Sequence, residues 1–348
     1  MYTIGCDQHK HYCFMVTMNE EKQIIHKERI EHDDRERLEN FFKELPGPSQ
    51  MAIEACGYEA WLCDSAGASG VDVHLAHPLK VKAIAEAKIK TDKIDATTLA
   101  KLLSADLLPE AYLAPQEIRE RRYLLRYRQC LVKYQTSIKN RMHSIIDRLG
   151  IKKPNITDLF SPVGIKWLTH LTLPEVYRKA LTGHLELLSF IQQQIKKVEQ
   201  QINLILKTDP LADILQTVPG IGKFSAFLLL AEIGPVERFS SPDKLSAYSG
   251  LVPSVHQSGK SEYFGSITKQ GNKFIRWILV EASQRAIKQD PGLQDFHSRI
   301  EFKKGHNVAT VAVARKLLTY IYHVLTKKEN YKLHKSQKPV LNPALSKA

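Results

Sequence analysis

The sequence predicts a mixed α/β domain followed by a mostly helical region. Strand-like apolar runs are concentrated in the first 76 residues. Apolar residues at three- and four-residue spacing, which is typical of helices, dominate the rest of the chain. A glycine-containing turn, PGIG, then separates two further helical segments. With 348 residues, the chain is long enough for two or three domains with a sizeable core.

The first predicted domain comprises residues 1–110. TIGCDQHKHYCFMVTM and KQIIHKERIEH are interpreted as two strands that flank a turn at Asn19-Glu20. QMAIEA and VDVHLA follow as strands, with a helix over Gly57 to Ala66 between them and a helical stretch from Pro78 to Leu103. A meander of strands followed by alternating helices and strands favours a ribonuclease-H-like sheet.

The second predicted region, residues 111–210, consists of long helices. Residues 115–150 form one basic helix with an apolar stripe at Tyr127, Leu131, Tyr134, Ile138, Ile145 and Leu149. After a connector at 150–175, a heptad rhythm predicts a coiled-coil seam at Leu181, Leu188, Ile191, Ile195, Val198, Ile202 and Ile205. An antiparallel hairpin within one chain and a seam between subunits fit this pattern equally well.

The third predicted domain, residues 211–330, is mostly helical, with loops between 234 and 272. It begins with TVPGIGKFSAFLLLAEIG, which is typical of a helix-hairpin-helix. The turn glycines Gly220 and Gly222 would let backbone amides approach a phosphate, and Lys223 adds a charge at the start of the second helix. An ordinary inter-helix turn is the alternative. Residues 331–348 are expected to form a basic, poorly ordered tail.

The charge of the chain indicates a polyanionic partner. The formal net charge is +13 and the isoelectric point is about 9.3. Residues 115–150 contain nine lysines and arginines against three acids, and residues 303–348 contain ten against one. Such segregated blocks favour nucleic acid over a merely solubilising surface. Within the first block, Arg122, Arg126 and Arg141 are predicted to contact phosphates.

Other classes of protein fit the composition poorly. Apolar runs fall short of the roughly 18 residues that a membrane-spanning helix needs, so no membrane partner is expected. Five cysteines without a CxxC pair favour the reducing cytoplasm over a disulfide framework. Cys6, Cys13, Cys56 and Cys63 lack the close ligand doublet of a zinc site and are interpreted as small buried side chains.

Four carboxylates carry the clearest chemical signal. Asp7 and Glu54 lie at the ends of apolar, strand-like runs. Asp92 and Asp95 are three residues apart in a helical stretch, so they share one helix face. Acids from two strands and one helix, gathered at one edge of a sheet, can hold a divalent metal for phosphodiester chemistry. Helix capping and surface exposure are the plain alternatives for Asp92 and Asp95.

A serine in the predicted loop could act as a nucleophile. Ser258 stands in HQSGK, and the cations Lys260, Lys269 and Arg276 follow it in sequence. Nearby cations would stabilise an attacking alkoxide. Sequence spacing alone does not select Ser258, since a loop serine is usually a turn former. The competing serines are Ser249, Ser254, Ser261 and Ser266.

The order of these motifs resembles a known family. GCDQHK, AIEACG, TDKIDATTLA, VPGIGKFSAFLLLAEIG and AYSGLVPSVHQSGK occur in the order found in the DEDD-type insertion-sequence transposases. These mobile-element recombinases have an N-terminal RuvC-like domain and a C-terminal transposase domain. The resemblance covers about residues 1–326.

The resemblance implies a set of roles. Asp7, Glu54, Asp92 and Asp95 would bind Mg²⁺, and Ser258 would form a covalent 5′-phosphoserine link to DNA. A non-coding bridge RNA would pair with donor and target DNA and choose the site. The active sites would be composite, with domains of two subunits in a homo-oligomer, either a dimer or a tetramer.

Two other functions remain open on the sequence. A nuclease that resolves Holliday junctions would use the same acids with water as the nucleophile and would leave nicked DNA without attached protein. A non-enzymatic nucleic-acid-binding protein would use the basic helices and leave the four acids without a role.

Overall fold

The computed structural model describes residues 1–85, 91–258 and 261–333 and divides into two compact units, Met1–Ala114 and Pro115–Ala348. The division follows Ala114, four residues after the predicted boundary. The elements of the first unit are β1 (Tyr2–Gln8), β2 (Tyr12–Met18), β3 (Ile24–Glu31), α1 (Arg35–Lys43), β4 (Ser49–Glu54), α2 (Ala60–Ala68), β5 (Asp72–Ala76), α3 (Pro78–Ile84) and α4 (Asp92–Ser104).

The first unit is built on a five-stranded mixed sheet in the order β3-β2-β1-β4-β5. β1, β2 and β3 form an antiparallel meander, and β4 and β5 extend it in parallel. The prediction of a single strand across TIGCDQHKHYCFMVTM was wrong. The run is broken after Gln8, because the His9 N–H donates to the Tyr12 carbonyl (2.8 Å) and turns the chain back on itself.

The two faces of this sheet pack against different helices. Ile4, Cys6 and Ile53 are fully buried in one cluster with apolar residues of α1 and α2. On the other face, Ala52 packs with Leu99 and other apolar residues of α4. Helices on both faces make this an α/β layered domain, as the element order predicts.

A glycine in β1 sets how closely α4 approaches the sheet. A β-carbon at Gly5 would overlap the carbonyl oxygen of Ala96 in α4. Glycine therefore permits direct contact between the strand and helix backbones. Because Gly5 and Asp7 are two residues apart on one strand, they face the same side of the sheet. The close approach at Gly5 consequently places the start of α4 over Asp7.

The second unit is mostly helical. Its elements are α5 (Gln116–Arg148), α6 (Pro162–His170), α7 (Glu175–Lys207), α8 (Pro210–Gln216), α9 (Lys223–Ile233), a 3-10 turn (Val236–Arg238), α10 (Pro242–Ser249), β6 (Pro253–Ser258), β7 (Ser261–Ile267), α11 (Lys273–Gln289), α12 (Pro291–Lys304) and α13 (His306–Lys327). Two expectations need correction: the connector at 150–175 contains α6, and the stretch at 234–272 contains the antiparallel hairpin β6-β7.

The two long helices, α5 and α7, pack against each other within one chain. Arg128 near the start of α5 pairs with Glu199 near the end of α7 (2.6 Å), so the helices run antiparallel. Most of the predicted seam is buried here, including Leu188 and Val198. The intrachain hairpin is thus the arrangement observed. In the predicted α5 stripe, Leu131 and Ile138 are buried, whereas Tyr127 and Tyr134 are 41% and 56% exposed.

One helix in the described part of the chain, α13, is long and apolar enough to cross a membrane. No helix of this length and hydropathy was expected from the sequence. Half of its most apolar window is buried, and Val313, Leu317 and Ile321 are fully enclosed in the core of the second unit. A helix in the core of a protein can have the length and composition of a membrane-spanning helix. The properties of α13 are therefore weak evidence that it spans a membrane.

Candidate active site

Asp7 and Glu54 lie at the same edge of the sheet. β1 and β4 are parallel neighbours in the register Cys6↔Ile53, so the next residues along each strand, Asp7 and Glu54, are level with one another. Both follow a residue of the opposite face by one position and therefore lie on the α4 face. Both are half-buried. Parallel pairing thus brings together two acids that are 47 residues apart.

The start of α4 contributes the other two acids. Thr91 caps this helix, because its hydroxyl accepts the Ile94 N–H (3.3 Å). Asp92 and Asp95 lie in the first turn, where carboxylates interact favourably with the helix dipole. Both are half-buried and close enough to Asp7 to act on it electrostatically. The start of α4 therefore lies near Asp7, and a shared metal site of all four acids stays a prediction.

His9 and Tyr12 join this set from the turn between β1 and β2. The His9 Nε2 atom lies 3.2 Å from Asp7 Oδ2 and 3.3 Å from Asp92 Oδ1. The Tyr12 hydroxyl donates to Asp92 Oδ2 (2.9 Å). One ligand atom each from Asp7, His9 and Asp92 lies within 4.8 Å of the others, close enough to hold a metal ion. His9 and Asp92 are about 40% exposed, so the centre is open to solvent.

The pKa values of Asp7 and Asp92 are shifted in opposite directions. Burial raises the pKa of Asp7; the nearby His9 opposes this rise, and the like charges of Asp95 and Asp92 add to it. In contrast, the hydrogen bond from Tyr12 lowers the pKa of Asp92. Asp7 therefore binds a proton unusually well, because the charge it carries when ionised is poorly solvated and faces other negative charges. A divalent cation would relieve the same repulsion.

Neither His9 nor Tyr12 was predicted from the sequence to belong to the site. The missed signal was the turn. The chain reverses at residues 9–11, and this places His9 beside Asp7. Tyr12 is then the first residue of β2, which packs against α4. The Tyr12 ring is held between the stacked His9 ring, with centroids 4.7 Å apart, and the Arg29 guanidinium at 3.7 Å. This packing fixes the direction of the hydroxyl that meets Asp92.

Tyr12→Phe should weaken divalent metal binding by about 10–100-fold, because outer hydrogen bonds of this kind orient ligand carboxylates. Calorimetric titration of the metal into the full chain measures the effect. Tyr2→Phe is the matched control, since Tyr2 begins β1 at the opposite edge of the sheet. Equal affinities for Tyr12→Phe and wild type would show that the tyrosine does not position Asp92.

The predicted nucleophile lies in the second unit. Ser258 is the last residue of β6 and pairs with Ser261 across the hairpin end. The prediction placed it in a loop, whereas the backbone here is extended. Of the predicted cations, Lys260 lies outside the described residues, and Lys269 is exposed after β7. Arg276 makes a structural contact, because its guanidinium donates to the Ser249 carbonyl (2.8 Å).

The helix-hairpin-helix is formed by α8 and α9, but its first glycine serves the fold. Gly220 has a φ of +79°, and a β-carbon there would overlap the Ala282 carbonyl of α11. Its N–H donates to the Gln289 side chain (2.8 Å), so this amide is not free for a phosphate. Gly222 is the residue before α9, with open space around its α-carbon, and Lys223 is exposed. Phosphate binding by Gly222 and Lys223 stays a prediction.

The three arginines predicted to bind phosphates have different environments. Arg122 is only 14% exposed and donates to the carbonyls of Ala231 (2.8 Å) and Glu232 (3.0 Å). Arg126 forms bonds of 3.2 Å to both carboxylate oxygens of Glu232. Both guanidiniums are therefore occupied inside the second unit. Arg141 is exposed and makes no ion pair with another described residue.

Two models of known families match this chain. Residues 4–151, which include all four acids, match a family described as "Transposase". Residues 212–298, which include α9 and the β6-β7 hairpin, match the "Transposase IS116/IS110/IS902 family". The two matches cover both structural units.

Individual relatives agree with these matches. The chain is 26% identical over 290 residues to the "Transposase for insertion sequence element IS1111A" of Coxiella burnetii, covering 81% of this chain and 79% of that protein. It is 25% identical over 308 residues to a "Probable family 20 transposase" of Pseudomonas aeruginosa, covering 86% and 90%. A "Pilin gene-inverting protein" of Moraxella bovis is 37% identical over 138 residues, covering 39% and 43%. The chain is therefore a transposase, an enzyme that cleaves and joins DNA, and it is similar to the IS116/IS110/IS902 family over residues 212–298.

Proposed function

We propose that this transposase cleaves and exchanges DNA strands with Mg²⁺ held by Asp7, Glu54, Asp92 and Asp95. The observation that supports the proposal is that Asp7 and Glu54 follow paired positions of β1 and β4, while His9 joins Asp7 to Asp92. The donor set fits the ion, because Mg²⁺ prefers carboxylate oxygens and usually takes only one or two of them together with water and phosphate oxygens. Solvent access at Asp92 leaves room for such a phosphate.

Within this centre, the side chains have separable tasks. A bound Mg²⁺ would neutralise the charge of the scissile phosphate and position the leaving oxygen. Asp7 supplies a buried charge with poor solvation, which favours cation binding. Tyr12 keeps Asp92 ionised and oriented through its hydrogen bond. His9 donates from one ring nitrogen to a neighbouring carboxylate and helps to hold the two strands and α4 in register.

We assign the nucleophile to Ser258. Its hydroxyl oxygen would form a bond to the phosphorus of the scissile phosphodiester, and the bond to the 3′ oxygen would break. The serine proton passes to solvent, and the released 3′ oxygen takes up a proton from solvent, so the departing strand ends in a 3′-hydroxyl. The 5′-phosphoserine ester retains the phosphodiester energy, so a second 3′-hydroxyl can reverse the step on a new strand. The place of Ser258 supports the assignment, because it is the last residue of β6, at the end of the pairing with β7.

We also propose that a non-coding RNA guides the choice of DNA site and that the protein acts as a homo-oligomer with composite active sites. The net charge of +13 supports a large polyanionic ligand of this kind. In such a division of labour, base pairing supplies sequence specificity and the protein holds the nucleic-acid backbones.

Ser258→Ala should abolish the covalent protein–DNA adduct while DNA binding persists. The assay incubates protein, guide RNA and end-labelled DNA with Mg²⁺, and then separates products under denaturing conditions. Ser266→Ala is the matched control, since Ser266 is an exposed serine of β7. An adduct formed by the alanine variant would move the nucleophile to another residue. Nicked DNA without any adduct from wild type would establish hydrolysis by water instead.

Arg141→Gln should weaken nucleic-acid binding equally for all sequences and should reduce the slope of log affinity against log salt by about one unit. The reason is that an exposed arginine on the basic α5 helix neutralises one phosphate. Binding is measured by fluorescence anisotropy over a salt series. Lys179→Gln is the control, because Lys179 is exposed on α7 but paired with Glu175 (2.6 Å). A changed sequence preference with an unchanged salt slope would contradict the prediction.

A further inference from the structure

A second group of metal-ligating side chains lies at the corner between α12 and α13. His297 and Glu301 are one turn apart on α12, and His306 is the first residue of α13. Gly305 forms the corner with a φ of +82°, a conformation that favours glycine. The corner folds α13 back so that His306 meets the α12 side chains. The four acids of the proposed active site belong to the other unit.

The distances within this group match those of a coordination sphere. Nδ1 of His297 lies 3.4 Å from Glu301 Oε2, and Nδ1 of His306 lies 2.9 Å from Glu301 Oε1. One ligand atom from each of the three lies within 4.8 Å of the others. In a tetrahedral site with bonds of about 2.0–2.1 Å, neighbouring ligand atoms are about 3.3 Å apart. Two imidazole nitrogens and one carboxylate oxygen, all within 4.8 Å of one another, are therefore close enough to share one ion.

The burial of His297 indicates that its ring binds a ligand and is not an ordinary solvated surface side chain. His297 is only 5% exposed, and its Nε2 atom finds no hydrogen-bond partner in the described part of the chain. A buried ring nitrogen without a partner is unfavourable, because it has lost its hydrogen bonds to water. Imidazole binds metal through a ring nitrogen, and a bound ion would add positive charge to this corner. Glu301 supplies the compensating negative charge.

We propose that His297, Glu301 and His306 bind a zinc-class divalent transition-metal ion. Two imidazoles and a carboxylate suit such ions, whereas the four acids of the other site suit Mg²⁺. Glu301 and His306 are 43% and 55% exposed, so the open position of the ion faces solvent. The ion would fasten the end of α12 to the start of α13 and so fix the corner at Gly305.

The test is zinc binding by the full chain carrying Asp7→Asn and Asp92→Asn, which removes the other metal-ligating group. Zinc chloride alone is titrated in competition with a chromophoric chelator. We expect one zinc per chain in this parent. Adding Glu301→Gln or His306→Ala should weaken binding at least about tenfold, because each removes a direct ligand. These two positions are exposed, so the substitutions test binding without opening the core.

His170→Ala is the control, because His170 is an exposed histidine at the end of α6 that bonds only its own helix. It should leave zinc affinity unchanged. Cobalt provides an independent readout, since a tetrahedral site gives visible absorption bands that the Glu301 and His306 variants should lose. A parent that binds no zinc, or variants that retain parental affinity, would show that the three side chains form only a hydrogen-bonded corner.

Discussion

Asp7→Asn should reduce DNA cleavage by at least about a hundredfold while leaving the fold intact. Asp7 is the carboxylate at the centre of the cluster, on β1 beneath the start of α4 and in contact with His9. Its amide would lose the charge that a cation requires but would keep the shape of the side chain. Loss of outer partners of a metal costs about 10–100-fold, so loss of a direct ligand should exceed this range.

The same substitution should stabilise the metal-free protein. Burial and the like charges of Asp95 and Asp92 raise the pKa of Asp7, so the ionised carboxylate opposes folding above that pKa. Asparagine removes this repulsion, and the midpoint of thermal unfolding without metal should rise. Asp72→Asn is the control, because Asp72 is a 75% exposed aspartate at the opposite edge of the sheet. A stable variant with wild-type cleavage would exclude Asp7 from the catalytic centre.

The acids were predictable because their positions depend on local patterns. Asp7 and Glu54 end apolar strands, and Asp92 and Asp95 share a helix face whatever the remaining fold. The close approach of α4 to β1 was not predictable, because it depends on Gly5 meeting Ala96 across more than 90 residues. His9 and Tyr12 were missed for a related reason. A three-residue turn inside a strand-like run hardly changes the alternation of apolar and polar residues, so the run was interpreted as one strand.

The second unit shows a different limit of sequence reasoning. Charge counting marked α5 as a nucleic-acid surface but could not tell which arginines point inward. Glu232 is the partner of both Arg122 and Arg126 and lies more than 100 residues away. It belongs to FSAFLLLAEIG, a mostly apolar segment of the predicted helix-hairpin-helix. Likewise, serine, glycine and lysine masked the strands β6 and β7, since such residues are also typical of loops. Long-range pairing decided both cases.

Glu232 is the most buried charge in the described part of the second unit. It is 0% exposed, near the end of α9. Its carboxylate accepts from Arg126 on α5 (3.2 Å) and from Asn272 before α11 (2.7 Å), and Arg122 lies 3.7 Å away. Three helices are therefore joined at one carboxylate. A buried charge is tolerated only when its partners satisfy it, so each partner depends on the others.

Glu232→Gln should lower the free energy of unfolding of the second unit by about 1–3 kcal/mol, because Arg126 and Asn272 lose a charged acceptor and the partly buried Arg122 loses its counter-charge. Hydrogen exchange at the α9 amides reports this unit alone. Glu186→Gln, at an exposed position of α7, should leave exchange unchanged. Arg122→Gln should also speed exchange in α9, whereas a phosphate-binding arginine would alter only nucleic-acid affinity. Unchanged exchange in both Glu232→Gln and Arg122→Gln would return Arg122 to the nucleic-acid surface and leave the three-helix junction without a structural role.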